Sequence, residues 1–220
     1  KIPIQDLLDR VDRDTVAVVT SAVQFSTGYR QNLRILGAEL RSLGVPFIVN
    51  ATQALGAFPV NVEEYGISAM ISSAHKWLGA GCGGGVFYTH SDFRNGSRWP
   101  MAGWMSVMEP WEFKNEEPEL RKESAAIELG TPPVGIIAGI NASAQVILSL
   151  GIGQIAQRIH DLSGYLVKRL RQLNCEIVTP RDDRPTFEGS INSGIVSFKA
   201  NRPKELTEER VAPTAEELPA

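Results

Sequence analysis

Between residues 16 and 50 the chain spells strand, helix and strand in immediate succession, and this constrains the fold more than any other feature. Residues 16–20 (VAVVT) are β-branched and continuously apolar, the pattern of a strand buried on both faces. Leu33, Leu36, Leu40 and Leu43 then recur at helical spacing, Gly44 supplies a helix stop and Pro46 prevents resumption. A second apolar run, residues 46–50 (PFIVN), follows at once. Strand, helix and strand within ~35 residues imply parallel strands joined by a right-handed crossover. Residues 67–73 (ISAMISS) and 85–89 (GVFYT) read as further short strands, so the fold class is α/β with a mostly parallel sheet.

Elsewhere the period is helical. Ile4, Leu7, Leu8 and Val11 share one face, and Ile155, Ile159, Leu162, Leu166, Leu170 and Leu173 form a longer stripe. Residues 134–150 read as a buried helix: Asn141, Ser143 and Gln145 interrupt them, and they fall short of the ~20 residues a bilayer requires. Residues 92–133 carry Trp99, Trp104 and Trp111 without a sustained period, as a long ordered excursion would. Residues 176–180 and 194–198 read as strands of a second layer. Residues 201–220, rich in Glu and Pro, read as a polar, poorly packed tail. The organisation expected is thus 1–150, a first α/β unit; 151–200, a linking helix and the start of a smaller α+β domain; and the tail.

Charge narrows the function classes. Lys plus Arg (22) nearly balance Asp plus Glu (25), for a net charge of −3, so neither nucleic acid nor a membrane is an expected partner. Cys82 and Cys175 are too few for a disulfide framework or a four-ligand zinc site, which suits a reducing compartment. No signal-peptide pattern occupies residues 1–20. The chain reads as soluble and cytoplasmic, and as a piece of something longer.

In open α/β sheets, ligands bind beyond the carboxyl ends of parallel strands. That rule selects Asn50-Ala51-Thr52-Gln53 and Ser73-Ala74-His75-Lys76, which should open on one edge. Lys76 is the strongest single candidate, because a partly desolvated lysine amine forms a Schiff base with an aldehyde. Most lysines at strand ends are merely solvated charges. The glycines from Gly79 to Gly85 tip the balance, since such a backbone can pass close to a ligand unobstructed. No Gly-Lys-Ser/Thr follows and a strand comes next, so this is not a nucleotide phosphate loop. Cys82 within it reads as a small residue packed in a turn.

Three segments carry a family resemblance: NATQALGAFPVNVEEYG (50–66), SSAHKWLGAG (72–81) and ELGTPPVGIIAGINA (128–142). In order and spacing they resemble the class V aminotransferases, fold type I pyridoxal-phosphate enzymes that include cysteine desulfurases, selenocysteine lyases, kynureninase-like and isopenicillin N epimerase-like proteins. The resemblance runs from about Val11 to Phe198. It implies that residues 1–150 are part of the cofactor-binding large domain, with pyridoxal 5′-phosphate held by Lys76 as a Schiff base. The amine of Lys76, once freed, would shuttle the α-proton of an amino-acid substrate. Ser73 and His75 would donate to the cofactor phosphate, Gln53 would bond the phenolic oxygen, and Asn50 would face the pyridine nitrogen. Thr131 would reach the phosphate of the neighbouring subunit in a homodimer; its plainer reading is a turn hydroxyl before two prolines.

The departures are as informative as the match. The family carries Asp where this chain has Asn50, and a neutral amide cannot hold the ring proton by charge, which should weaken the electron sink. Asn61 and Ser68 also stand where relatives commonly carry Asp. Cys82 does not correspond to the persulfide-forming cysteine of desulfurases. Family chains run to about 400 residues, so under this resemblance several site residues would lie outside the 220 here. Two functions follow: a pyridoxal-phosphate-dependent lyase, transferase or epimerase, or a catalytically weakened relative that binds and dimerises.

Overall fold

Leucines at helical spacing become helix α2 (Leu33–Ser42) because both ends are satisfied locally. Asn32 caps the start, its side chain accepting from the Ile35 N–H at 3.1 Å. At the other end Gly44 takes φ +68°, and the Gly44 and Val45 amides close on the carbonyls of Arg41 and Leu40. The structure, a computed structural model, describes residues 4–113 and 119–200. The tail expected at 201–220 lies outside the described residues.

Helix α2 links strands β1 (Val18–Ser21) and β2 (Phe47–Asn50), which pair in parallel as the strand–helix–strand pattern requires. Strand β3 (Ala69–Ser73) continues the parallel sheet, and β4 (Gly85–Thr89) closes it antiparallel, in the order β1-β2-β3-β4. Helix α1 (Ile4–Leu8) packs against the core through Ile4, Leu7 and Leu8. On one sheet face Phe47, Val49 and Met70 meet Leu36, Leu40 and Phe58, all buried. Gly37 lets α2 settle there: a Cβ at this position would lie 1.7 Å from the Tyr65 carbonyl oxygen.

The other face is open in part, Ala69 and Thr89 being buried on it. Val19, Ile71 and Phe87 are 68%, 50% and 44% exposed. Residues 16–20 are therefore not buried on both sides: β1 begins at Val18, lies at the sheet edge, and leaves Val16 exposed. Among the described residues the core is built against the α2 side, and apolar sequence alone does not tell one covered face from two.

The described residues between 92 and 133 run as short turns, beginning in α3 (Ser91–Gly96). Trp104, Trp111 and Phe113 stack on one another there, with centroids 5.3–6.5 Å apart, and are largely exposed. Helix α4 (Val134–Leu150) forms where expected but buries no residue. One side touches the glycine-rich loop and α5 (Ile152–Gln172), while Val134, Val146 and Leu148 face outward. Its apolarity signalled a helix with unsatisfied faces, not a buried one. Among the described residues no single helix is long and apolar enough to cross a membrane; α4 and α5 together pass that test but are bent by 81° at their break.

The buried stripe of α5 is Ala156, His160, Ser163, Val167 and Leu170, whereas Leu162, Leu166 and Leu173 of the expected stripe are exposed. Of the two polar members, Ser163 donates to the His160 carbonyl, and His160 Nε2 meets the Arg184 carbonyl at 2.9 Å while its Nδ1 is buried without a partner among the described residues. Strands β5 (Glu176–Ile177) and β6 (Phe198–Lys199) pair antiparallel and are shorter than the sequence suggests. The segment before β6 is stitched to a distant hairpin. The Arg30 amide donates to the Ile191 carbonyl, Ser193 to the Gly28 carbonyl and Ser197 to the Ser26 carbonyl. The Arg30 guanidinium donates to the carbonyls of Ser190 and Phe187 and lies 4.5 Å over the Phe58 ring. Burial pushes its pKa down to about 10, with Asp182 and Tyr65 pulling the other way.

Candidate active site

Because β2 and β3 are parallel neighbours, the segments that follow them emerge side by side. The Ala51 amide donates to the Ile71 carbonyl, and the Ala22 amide to the Asn50 carbonyl, so the ends of three parallel strands are locked together. Asn50 Oδ1 accepts from the Thr52 N–H at 3.0 Å, and Thr52 Oγ1 accepts from the Ser73 N–H at 3.2 Å. A backbone amide only donates, so the oxygen of Asn50 must face Thr52. Its NH2 group is then the free end, without a partner among the described residues. Thr52, which joins the two segments, was missed by sequence reasoning. The only available signal was a hydroxyl two residues past a strand end.

The turn that carries Lys76 is built on backbone bonds. Ala74, fully buried, donates to the Gly84 carbonyl and accepts from the Ala80 amide; the Gly79 amide closes on the Lys76 carbonyl. Trp77 and Leu78 turn inward, and His75 and Lys76 are exposed. Neither makes a side-chain hydrogen bond or ion pair among the described residues. Ser73 and Gln53 are half-buried beside them.

The glycines serve a second purpose that the sequence did not disclose. A Cβ on Gly84 would meet Ile136 Cγ2 at 2.3 Å, one on Gly81 would meet Ile136 Cδ1 at 3.0 Å, and one on Gly79 would meet Ser143 Oγ at 3.2 Å. Their bare backbone admits α4. Cys82, expected to be packed, is exposed. Thr131 lies on the exposed 130–133 loop leading into α4 and shares no hydrogen bond with the Lys76 group among the described residues. Asn61 and Ser68 have local tasks here. Asn61 accepts from the Glu64 amide, and Ser68 Oγ accepts from the Phe47 amide at the start of β2.

Two features lie away from the lysine. A cleft of about 930 Å³ between α2 and residues 187–191 is lined by Arg30, Arg34, Phe58, Tyr65 and Ser190, and by none of the candidate residues. The Arg30 clasp beside it is the other feature that sequence reasoning missed.

Comparison with known proteins agrees with this fold. The kynureninase of Geobacillus thermodenitrificans is 25% identical over 188 residues, covering 81% of this chain and 43% of that protein. A cysteine desulfurase from Thermococcus onnurineus superposes with a TM-score of 0.79 at 24% identity, over 92% of this chain and 48% of that one. C-DES, a cystine C–S lyase, has a variant seen with glycine covalently linked to its PLP cofactor; that structure gives a TM-score of 0.79 at 21% identity, over 92% of this chain and 52% of that one. The chain spans under half the length of the curated relative it matches. A family description, aminotransferase class-V, matches residues 1–202, and the chain belongs to that family.

Proposed function

We propose that the chain is the lysine-bearing part of a pyridoxal-phosphate-dependent enzyme that acts on an amino acid as a lyase, transferase or epimerase, with Lys76 as the Schiff-base anchor. The observation that carries this reading is the convergence of Asn50, Thr52, Ser73 and the Lys76 turn at adjacent carboxyl strand ends. The donor set fits the cofactor. No carboxylate stands in residues 50–53 or 73–76 to repel a phosphate, and Lys76 is free of any ion pair among the described residues.

When bound, the cofactor supplies an electron sink for negative charge developing at the substrate's α-carbon. Ser73 and His75 offer donors to the phosphate, and Gln53 an amide to the phenolic oxygen. Asn50 presents its NH2, a donor suited to an unprotonated ring nitrogen. Lys76 Nζ would hold the cofactor and, when free, would be the base that moves the proton at the substrate's α-carbon. Thr131 and the exposed aromatic cluster suit a homodimer in which Thr131 serves the neighbouring site. Residues 1–150 then belong to the large domain and 151–200 begin the small one.

The test is borohydride reduction of the full-length protein with pyridoxal phosphate, followed by peptide mapping. Label on Lys76 is expected; label confined to another lysine refutes the assignment. The neutral Asn50 favours one second reading, a weakened relative that binds and dimerises. Label on Lys76 with no α-proton exchange from any amino acid would select it.

A further inference from the structure

From Ala74 to Gly85 the chain doubles back around Lys76; Ala74, Trp77 and Leu78 anchor its first half, but its second half has almost no side chain to hold it. Five of the seven residues from Gly79 to Gly85 are glycine, the residue with most conformational freedom to lose. Three backbone bonds close the loop: Ala74 N–H to Gly84, Ala80 N–H to Ala74 and Gly79 N–H to Lys76. Support comes from outside, from one face of α4. Ile136, Gly139 and Ser143 recur there at helical spacing. Ile136 lies against Gly81 and Gly84, Ser143 against Gly79, and a Cβ on Gly139 would meet the Ala80 Cβ at 3.6 Å. Gly84, Ala80 and Gly79 are the same residues whose backbone groups close the loop.

We propose that Ile136 is a positioning residue for the lysine. Its branched side chain fills the hollow left by Gly81 and Gly84 and so holds residues 74–85, and with them Lys76, in one conformation. This rests on the reading of Lys76 as the cofactor anchor and extends it, since it gives α4 the task of orienting that anchor.

The experiment uses the full-length protein in two stages. Without cofactor, amide hydrogen exchange is followed at Ala74, Gly79 and Ala80, with the amides of α2 as an internal control. With pyridoxal phosphate, the rate of borohydride-trapped label at Lys76 is measured. Ile136→Ala should speed exchange at the three amides about tenfold, leave α2 unchanged and slow labelling of Lys76 about fivefold. Ile136→Val should keep both within about twofold. Gly84→Ala, whose new methyl meets Ile136, should reproduce the defect. Adding Ile136→Ala to it should relieve the defect, because the second change empties the space the first one fills.

Unchanged exchange in both Ile136→Ala and Gly84→Ala overturns the proposal. So does faster exchange with Lys76 labelled at the wild-type rate. Label on a different lysine in the wild type refutes the anchor reading, while the exchange data still decide whether Ile136 holds the loop.

Discussion

Replacing Gly37 with Ala puts two effects in opposition. In the interior of a helix, Gly to Ala is worth about 1 kcal/mol of stability. Gly164 in α5 is open to that gain, since a Cβ there meets nothing within 4 Å. At Gly37 the new Cβ would lie 1.7 Å from the Tyr65 carbonyl oxygen and 2.8 Å from its carbon. Carbon and oxygen sit no closer than ~3.3 Å, so α2 and residue 65 must part by about 1.5 Å. That gap falls across Leu33, Leu36 and Leu40, which are 7%, 0% and 0% exposed. Burying three such leucines is worth ~6 kcal/mol. A radial gap of even ~0.5–1 Å forfeits a quarter to a half of the contact, so the loss here is at least ~1.5–3 kcal/mol. Subtracting the helix gain leaves Gly37→Ala destabilised by about 0.5–2 kcal/mol, a fall in Tm of roughly 1–8 °C for a chain of this size. Gly164→Ala should rise by about 2–4 °C. Differential scanning calorimetry of the two variants beside the wild type measures both. Equal, positive shifts would refute the claim that α2 is seated through its glycine.

Asn50→Asp keeps the acceptor that Thr52 needs and adds a charge that favours a protonated ring nitrogen. Exchange of an amino acid's α-proton in deuterated water, followed by NMR, should speed about fivefold for each kcal/mol recovered; an unchanged or slower rate would show the site adapted to Asn. Burial alone would raise the Asp182 pKa, but bonds from the Ile191 amide, the Ser190 hydroxyl and the Arg184 amide, with the Arg184 charge, hold it below its ordinary value. That stability is present above the unfolded-state pKa of ~3.9 and is lost as pH falls through the lower folded value. Asp182→Asn should therefore lower the urea midpoint at pH 6 by about 1 kcal/mol equivalent, with the difference shrinking at pH 3; a constant difference contradicts the linkage. Trp111, 72% exposed in the aromatic cluster, tests the proposed homodimer: the full-length protein should sediment as a dimer and Trp111→Asp as a monomer, and a monomeric wild type refutes the proposal.

The strand–helix–strand unit was legible because its signals are local. Leucine spacing, Gly44 after the helix and Pro46 beyond it all act within a few residues. The placement of Asn50 and Lys76 at one edge followed from strand direction alone. What escaped depends on distant partners. Helix α4 was expected to be buried because apolar residues report a preference, not the presence of a neighbour. On α5 the leucines outvoted His160 and Ser163, whose burial depends on carbonyls that composition does not display. Thr52 looked like an ordinary turn residue until β3 placed the Ser73 amide beside its hydroxyl.

The clasp between the hairpin at residues 26–30 and the segment at 187–197 bears on how the chain is made. Its bonds span 160, 165 and 171 residues. A ribosome adding ~5–20 residues per second extrudes the second partner roughly 10–30 seconds after the first. The strand pairing of the four-stranded sheet is complete at Thr89, so it can begin to assemble on the nascent chain while Arg30 still waits for its carbonyls. Through that interval an arginine destined for burial remains hydrated. The carboxyl edge of β1 is then the last part of the sheet to set, and truncations that stop before Ile191 should leave it unset in the finished product.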